Sequence, residues 1–132
     1  MFRNLKVLQI ILVAAVFVAG FIGTAEAKNN PIQIQNDTGY TIQKLYFAPK
    51  GSSFGNDRIA DAGYSALNDG ETLSLMYDDS YDKYTLKIVF TNGAARVWNK
   101  NSSFDVSGAY KITIVSNGTN SRGIEVFSLR VN

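Results

Sequence analysis

The feature that most limits what this chain can become is a side-chain period of two, repeated in short runs that turn residues cut apart. Ile32 and Ile34 alternate with Gln33 and Gln35, and Leu73, Leu75 and Tyr77 alternate with Thr72, Ser74 and Met76. Tyr84, Leu86, Ile88 and Phe90 stand opposite Thr85, Lys87 and Val89, while Tyr110, Ile112 and Ile114 alternate with Lys111 and Thr113. Neighbouring side chains of a strand point to opposite faces, so each run has an apolar face to bury and a more polar one to expose. Asn36-Asp37-Thr38-Gly39, Asn68-Asp69-Gly70, Asn92-Gly93 and Asn117-Gly118-Thr119-Asn120 separate the runs. Asn, Asp and Thr bond nearby backbone there and Gly accepts positive φ, which is how turns are made. The pattern predicts an all-β fold, a small antiparallel β-sandwich of about seven or eight strands.

Three finer expectations follow. Asn92-Gly93 predicts a type I′ turn joining Tyr84–Phe90 to Ala94–Trp98 in a hairpin. In the last run Ile124 and Val126 share a phase that Leu129 and Val131 oppose, which predicts a β-bulge near Phe127-Ser128. Gly51 to Leu67 is rich in Gly, Ser, Asp and Ala; it reads as a crossing loop between sheets with a short helix around Arg58–Ala62.

The first residues follow another logic. Arg3 and Lys6 precede a stretch from Val7 to Ala25 without charge, which closes on Thr24-Ala25-Glu26-Ala27 before the polar Lys28-Asn29-Asn30. That order is the layout of a secretory signal peptide, residues 1–27, cleaved after Ala27 to leave residues 28–132 as one β-sandwich domain. The alternative is a retained anchor, since the apolar stretch is long enough to span a bilayer. Gln9, Gly20, Gly23, Thr24 and the A-x-A site favour cleavage. The expected location is therefore secreted or periplasmic, with no membrane span after cleavage. The chain has no Cys, so neither a lipidated cysteine nor a disulfide is available.

Charge narrows the partners. Loss of Arg3, Lys6 and Glu26 would lower the net charge from +2 to about +1. Lys44, Lys50, Arg58, Lys83, Lys87, Arg96, Lys100 and Lys111 are spread singly along the chain. Nucleic-acid binding needs a concentrated positive footprint, so none is expected.

Residue types narrow the chemistry. Without His or Cys the chain builds no Ser-His-Asp triad, thiol nucleophile or ordinary zinc site, and it contains no Gly-rich phosphate motif. A non-enzymatic role is expected. Asp78, Asp79 and Asp82 fall close together between two strands and are the candidate ligands for calcium, which prefers several oxygen donors. A solvated polar turn is the plainer reading of the same residues, and no other cofactor is implied. Tyr46, Tyr77, Tyr84, Phe90 and Tyr110 lie in strand alternation and read as packing. Phe54, Tyr81 and Trp98 fall in loops or at strand ends and are the candidate ligand contacts. Asn36, Asn101 and Asn117 match the N-glycosylation pattern, but turn chemistry is the plainer reading of them.

Asn36-Asp37-Thr38-Gly39-Tyr40-Thr41-Ile42, Leu45-Tyr46-Phe47-Ala48-Pro49, Phe54-Gly55-Asn56-Asp57-Arg58-Ile59, Asp69-Gly70-Glu71 and Tyr84-Thr85-Leu86-Lys87 occur in that order. The set resembles a family of small secreted bacterial β-rich proteins of uncharacterised activity. That family carries an N-x-T-G turn, a Leu-Tyr strand ending in Ser-Pro and a Trp-Gly-x-Asp loop. Here Ala48 stands at the serine position and Phe54 at the tryptophan position. The resemblance implies a secreted β-sandwich and supplies no activity, cofactor or site. Two functional readings result. The first is a secreted or periplasmic interaction module that binds an envelope or extracellular protein or glycan. The second is a carbohydrate- or small-ligand-binding module, with calcium as a stabilising ion in one version.

Overall fold

The computed structural model describes residues 29–132; the expected signal peptide and its cleavage site lie outside the described residues. Eight strands form two sheets. They are β1 (Asn29–Asp37), β2 (Ile42–Pro49), β3 (Thr72–Asp78), β4 (Lys83–Phe90), β5 (Ala95–Trp98), β6 (Phe104–Asp105), β7 (Lys111–Thr119) and β8 (Glu125–Val131). Sheet I has the order β3-β1-β7-β8. Sheet II has the order β2-β4-β5, with β6 pairing on β4 beyond the end of β5. The two sheets form the expected β-sandwich, and every pairing is antiparallel except β1 with β7. That parallel pair joins the first and seventh strands, far apart in the chain, at the centre of sheet I.

The apolar faces meet between the sheets. Ile32, Ile34, Leu73, Ile112 and Ile114 from sheet I face Leu45, Phe47, Tyr84, Leu86 and Ile88 from sheet II, all nearly inaccessible to water. Phe47 stacks on Tyr84 at 4.5 Å and Tyr77 meets the same ring edge-on at 5.7 Å, two favoured aromatic geometries. Removing a ring such as Phe47 would cost about 3–5 kcal/mol. Tyr110 departs from the expected packing. It lies just before β7 and is 66% exposed, because the buried phase begins at Ile112.

The crossing segment carries the chain from β2 in sheet II to β3 in sheet I and contains a single helical turn, α1 (Arg58–Asp61). Asp57 caps it: its carboxylate accepts from the Ile59 amide and from the Leu45 amide of β2, at 3.1 and 3.0 Å. One side chain thus satisfies a helix donor and a strand donor where the β2–β4 register shifts between Ile42 and Lys44. The Asp of the aromatic-Gly-x-Asp loop is a structural pin.

Two local expectations are corrected. The β4–β5 hairpin forms, but its turn spans Thr91, Asn92 and Gly93, closed by a bond from the Phe90 amide to the Ala94 carbonyl. A type I′ turn needs positive φ at both central residues, and only Gly93 has it, at +88°. The Asn92 carboxamide accepts from the Ala94 amide at 2.9 Å, which supports the wider turn. The bulge of the last hairpin lies in β7 between Ser116 and Thr119, at Gly118 with φ +78°, rather than at Phe127-Ser128. β8 keeps one phase throughout: Phe127, Leu129 and Val131 pack toward the core, and Ile124 and Val126 are simply outward.

Candidate functional site

Among the described residues, three of the surface hollows hold the loop aromatics and the acidic candidates, and their floors are set by the strand phase. The first opens between the β5 and β8 edges at one end of the sandwich, a cleft of about 180 Å³ lined by Tyr40, Phe90, Asn92, Ala94, Arg96, Glu125 and Phe127. Arg96 and Phe127 point inward here, where the sheets part. Phe90 and Phe127 lie 5.1 Å apart, and Tyr40 meets both edge-on at 6.0 and 6.4 Å. The Arg96 guanidinium sits 5.3 Å over the Phe127 ring and donates to the Ala95 carbonyl. Glu125 accepts from the Ser116 hydroxyl at 2.9 Å. A hydrogen bond to Glu125, followed by that carboxylate's charge, raises the Tyr40 phenol above its ordinary value.

Tyr40 is held in the cleft by the turn before it. Asn36 is fully buried, and its carboxamide donates to the Tyr40 carbonyl at 2.7 Å and to the Leu67 carbonyl at 2.9 Å. Its oxygen accepts from the Thr38 amide and hydroxyl at 3.1 and 2.6 Å. The Asp69 carboxylate then accepts from the Gly39 amide, tying this turn to the one before β3. These contacts make Asn36 a structural residue and leave its nitrogen inaccessible as a glycosylation acceptor.

The second hollow, about 320 Å³, lies on the outer face of sheet II and is lined by Lys50, Gly51, Ser52, Phe54, Thr85, Asn99 and Lys100. Phe54 is half-buried and packs at a tilt against Tyr46, 6.1 Å away. The Lys87 ammonium stands 5.6 Å over the Tyr46 ring. Lys100 belongs to a 3₁₀ turn (Lys100–Ser102) that loops out between β5 and β6, and its φ of +46° is the one positive value at a non-glycine among the described residues.

The third hollow, about 210 Å³, lies where the β3–β4 loop passes between the sheets, and Asn30, Tyr77, Asp79, Tyr81, Asp82, Ser107 and Gly108 line it. Asp79 and Asp82 share this hollow, but each has its own partner: Asn30 donates to Asp79, and the Ser107 hydroxyl donates to Asp82 at 3.0 Å. Asp78 turns back on its own loop, accepting from the Ser80 amide and hydroxyl. Among the described residues no group of three or more acidic side chains is placed to hold a metal ion. The loop is braced from the core by Tyr84, whose hydroxyl donates to the Asp78 carbonyl at 2.7 Å and accepts from the Asp78 amide at 3.0 Å. Burial, above all, raises the Tyr84 phenol above its ordinary value, and the same cause raises Tyr77.

The three candidate contacts therefore sit in three places. Phe54 lies in the sheet II hollow and Tyr81 in the β3–β4 loop. Trp98 pairs opposite Leu86 and packs against the core from the inward side of β5. Sequence reasoning missed the cleft, because Tyr40, Arg96 and Glu125 come from three distant segments. It also missed a grouping of lysines, since strand pairing sets side by side residues that are widely spaced in the chain. The one available signal was alternation itself, which places Lys44 and Lys87 on the polar faces of their strands.

No family model matches the sequence, and no curated protein matches it. Among solved structures the chain is similar to a protein from Eubacterium rectale determined by NMR. The TM-score is 0.50 at 7% identity, covering 80% of this chain and 91% of that one. At that identity the likeness is one of fold.

Proposed function

We propose that this chain is an exported, non-enzymatic interaction module that docks an extended segment of an envelope or extracellular protein along β8. The observation that carries the reading is the junction of an edge strand with an aromatic cleft. β8 ends sheet I and, among the described residues, pairs on one side only, with β7. An unpaired strand edge offers a row of backbone donors and acceptors that an extended peptide can match, while adjacent pockets select its side chains. Ile124 and Val126 expose apolar surface at that strand (52% and 38%), and the Tyr40–Phe127 cleft lies beside it. The cleft is sized for one side chain, well below the range of drug-like ligand sites. Its charged groups each already bond within the protein, Arg96 to the Ala95 carbonyl and Glu125 to the Ser116 hydroxyl.

The test is site-specific photo-crosslinking in the source cell, with a benzophenone residue at Val126 or at Met76. Met76 is also exposed but lies on β3, the opposite edge of sheet I. A discrete protein adduct from position 126 and none from position 76 supports the reading. Adducts of equal yield from both positions, or none from 126, refute it.

A further inference from the structure

Lysines that stand singly in the sequence share one face of sheet II. Leu45 and Phe47 of β2 and Leu86 and Ile88 of β4 are buried, so the residues alternating with them, Lys44 and Lys87, project outward. Lys50 leaves the end of β2, and Lys100 sits in the 3₁₀ detour between β5 and β6; both line the Phe54 hollow. β2, β4 and β5 contain no Asp or Glu; the carboxylate of sheet II, Asp105 of β6, pairs with Lys83, and no carboxylate among the described residues lines the hollow. The ion pair found among the described residues, Lys83 with Asp105, involves none of these four lysines. The face thus carries uncompensated positive charge beside a half-buried aromatic pair, with the Ser52 hydroxyl and the Asn99 carboxamide at the same hollow.

We propose that this face binds an acidic saccharide, a pyranose ring or short oligomer bearing carboxylates. The Lys50 and Lys100 ammonium groups take the carboxylate, Phe54 meets the apolar C–H side of the ring, and Ser52 and Asn99 pair with its hydroxyls. Each group on such a ligand finds its complement at the hollow. A nucleic acid carries the same sign of charge, but single-strand binding uses a row of aromatic rings on which successive bases stack. Here Tyr46 is capped by Lys87, which leaves Phe54 as the one ring lining the hollow, enough for a single sugar. This surface is distinct from the β8 edge, and its occupancy does not depend on docking there.

The test titrates the full-length chain with a galacturonic acid oligomer, using the fluorescence of Trp98, the sole tryptophan, which directly precedes Asn99 and Lys100. Calorimetry provides the second readout. The acidic oligomer should bind at least tenfold tighter than its methyl ester, and added salt should weaken it, because the ester removes the charge and keeps the ring. Lys50→Gln with Lys100→Gln should cost at least tenfold in affinity without lowering the melting temperature, since neither lysine side chain is used inside the fold. Phe54→Ala should weaken the acid and the ester alike. Equal binding of acid and ester, or unchanged affinity in the double lysine variant, overturns the proposal. So does inorganic phosphate binding as tightly as the oligomer, a single-stranded oligonucleotide binding more tightly, or no binding of the acidic oligomer.

Discussion

The cleft at Tyr40 and the hollow at Phe54 are built from the same materials, aromatic rings with charged side chains beside them, and they use them in opposite ways. In the cleft the charges are used internally: Arg96 covers Phe127 and donates to the Ala95 carbonyl, and Glu125 takes a hydrogen bond from Ser116. In the hollow, Lys50 and Lys100 have no carboxylate partner among the described residues. The cleft is thus part of how the sandwich closes its end, and it has apolar surface left for a partner. The hollow sits outside a core that is complete without it. Charge held by internal bonds serves the structure, whereas charge left open on a patterned face is available to the ligand proposed above.

That contrast can be broken by mutation. The largest effect is expected at Asn36, whose carboxamide makes four hydrogen bonds that hold the Tyr40 turn in place. Asn36→Ala strands buried partners and should lower stability by about 3 kcal/mol in urea unfolding. Next comes Phe127→Ala, which opens the cleft and should cost about 2–3 kcal/mol, against about 1 kcal/mol or less for Phe54→Ala. Equal losses from these two rings would show that the hollow, too, is part of the core.

Lys100→Gly gives a smaller and more diagnostic change. Glycine relieves the left-handed backbone at this position, so stability should rise by as much as about 1 kcal/mol. Binding of the acidic oligomer should fall in the same variant. A residue kept in a strained conformation for structural reasons would not separate the two readouts in this direction.

The smallest effect is a titration. Glu125 raises the Tyr40 phenol, so Glu125→Gln should move that phenol back toward about 10, followed by NMR of the tyrosine ring. A folded pKa above the unfolded one gives stability that is fully present below the unfolded value and is lost as pH rises through the folded value. Tyr40, Tyr77 and Tyr84 all have raised pKa values, so the protein should weaken above about pH 10. Glu125→Gln should remove only the Tyr40 part of that loss. If Tyr40 titrates unchanged in this variant, the internal bond that sets the cleft apart from the hollow is absent.

Much of the scaffold was legible because its signals are local. Alternation placed Ile32, Ile34, Leu73, Leu86, Ile88, Ile112 and Ile114 in the core, and Asn92-Gly93 correctly joined β4 to β5. The turn type was not legible, since whether Asn92 adopts positive φ depends on the hydrogen bond it makes to Ala94. Nor was the phase of Ile124 and Val126. Their exposure reflects the end of the sheet, where none of the described residues packs outside β8, and apolar character alone does not reveal which face is covered. Of the candidate site, Phe54 was visible as a loop aromatic, while Lys50 and Lys100 were dismissed as isolated charges.

By itself, then, the sequence determined the secondary-structure type, most of the sheet-forming faces and the positions of the turns, all properties of contacts only a few residues apart. Tertiary structure alone decided the parallel pairing of β1 with β7, the inward placement of Trp98, and the meeting of Tyr40 with Glu125 and of Lys50 with Lys100. The physical reason is that a strand's period states which side chains share a face but not which strand lies beside it. Neighbours in a sheet are chosen by how two apolar faces close over each other, and the functional surfaces are assembled from those neighbours.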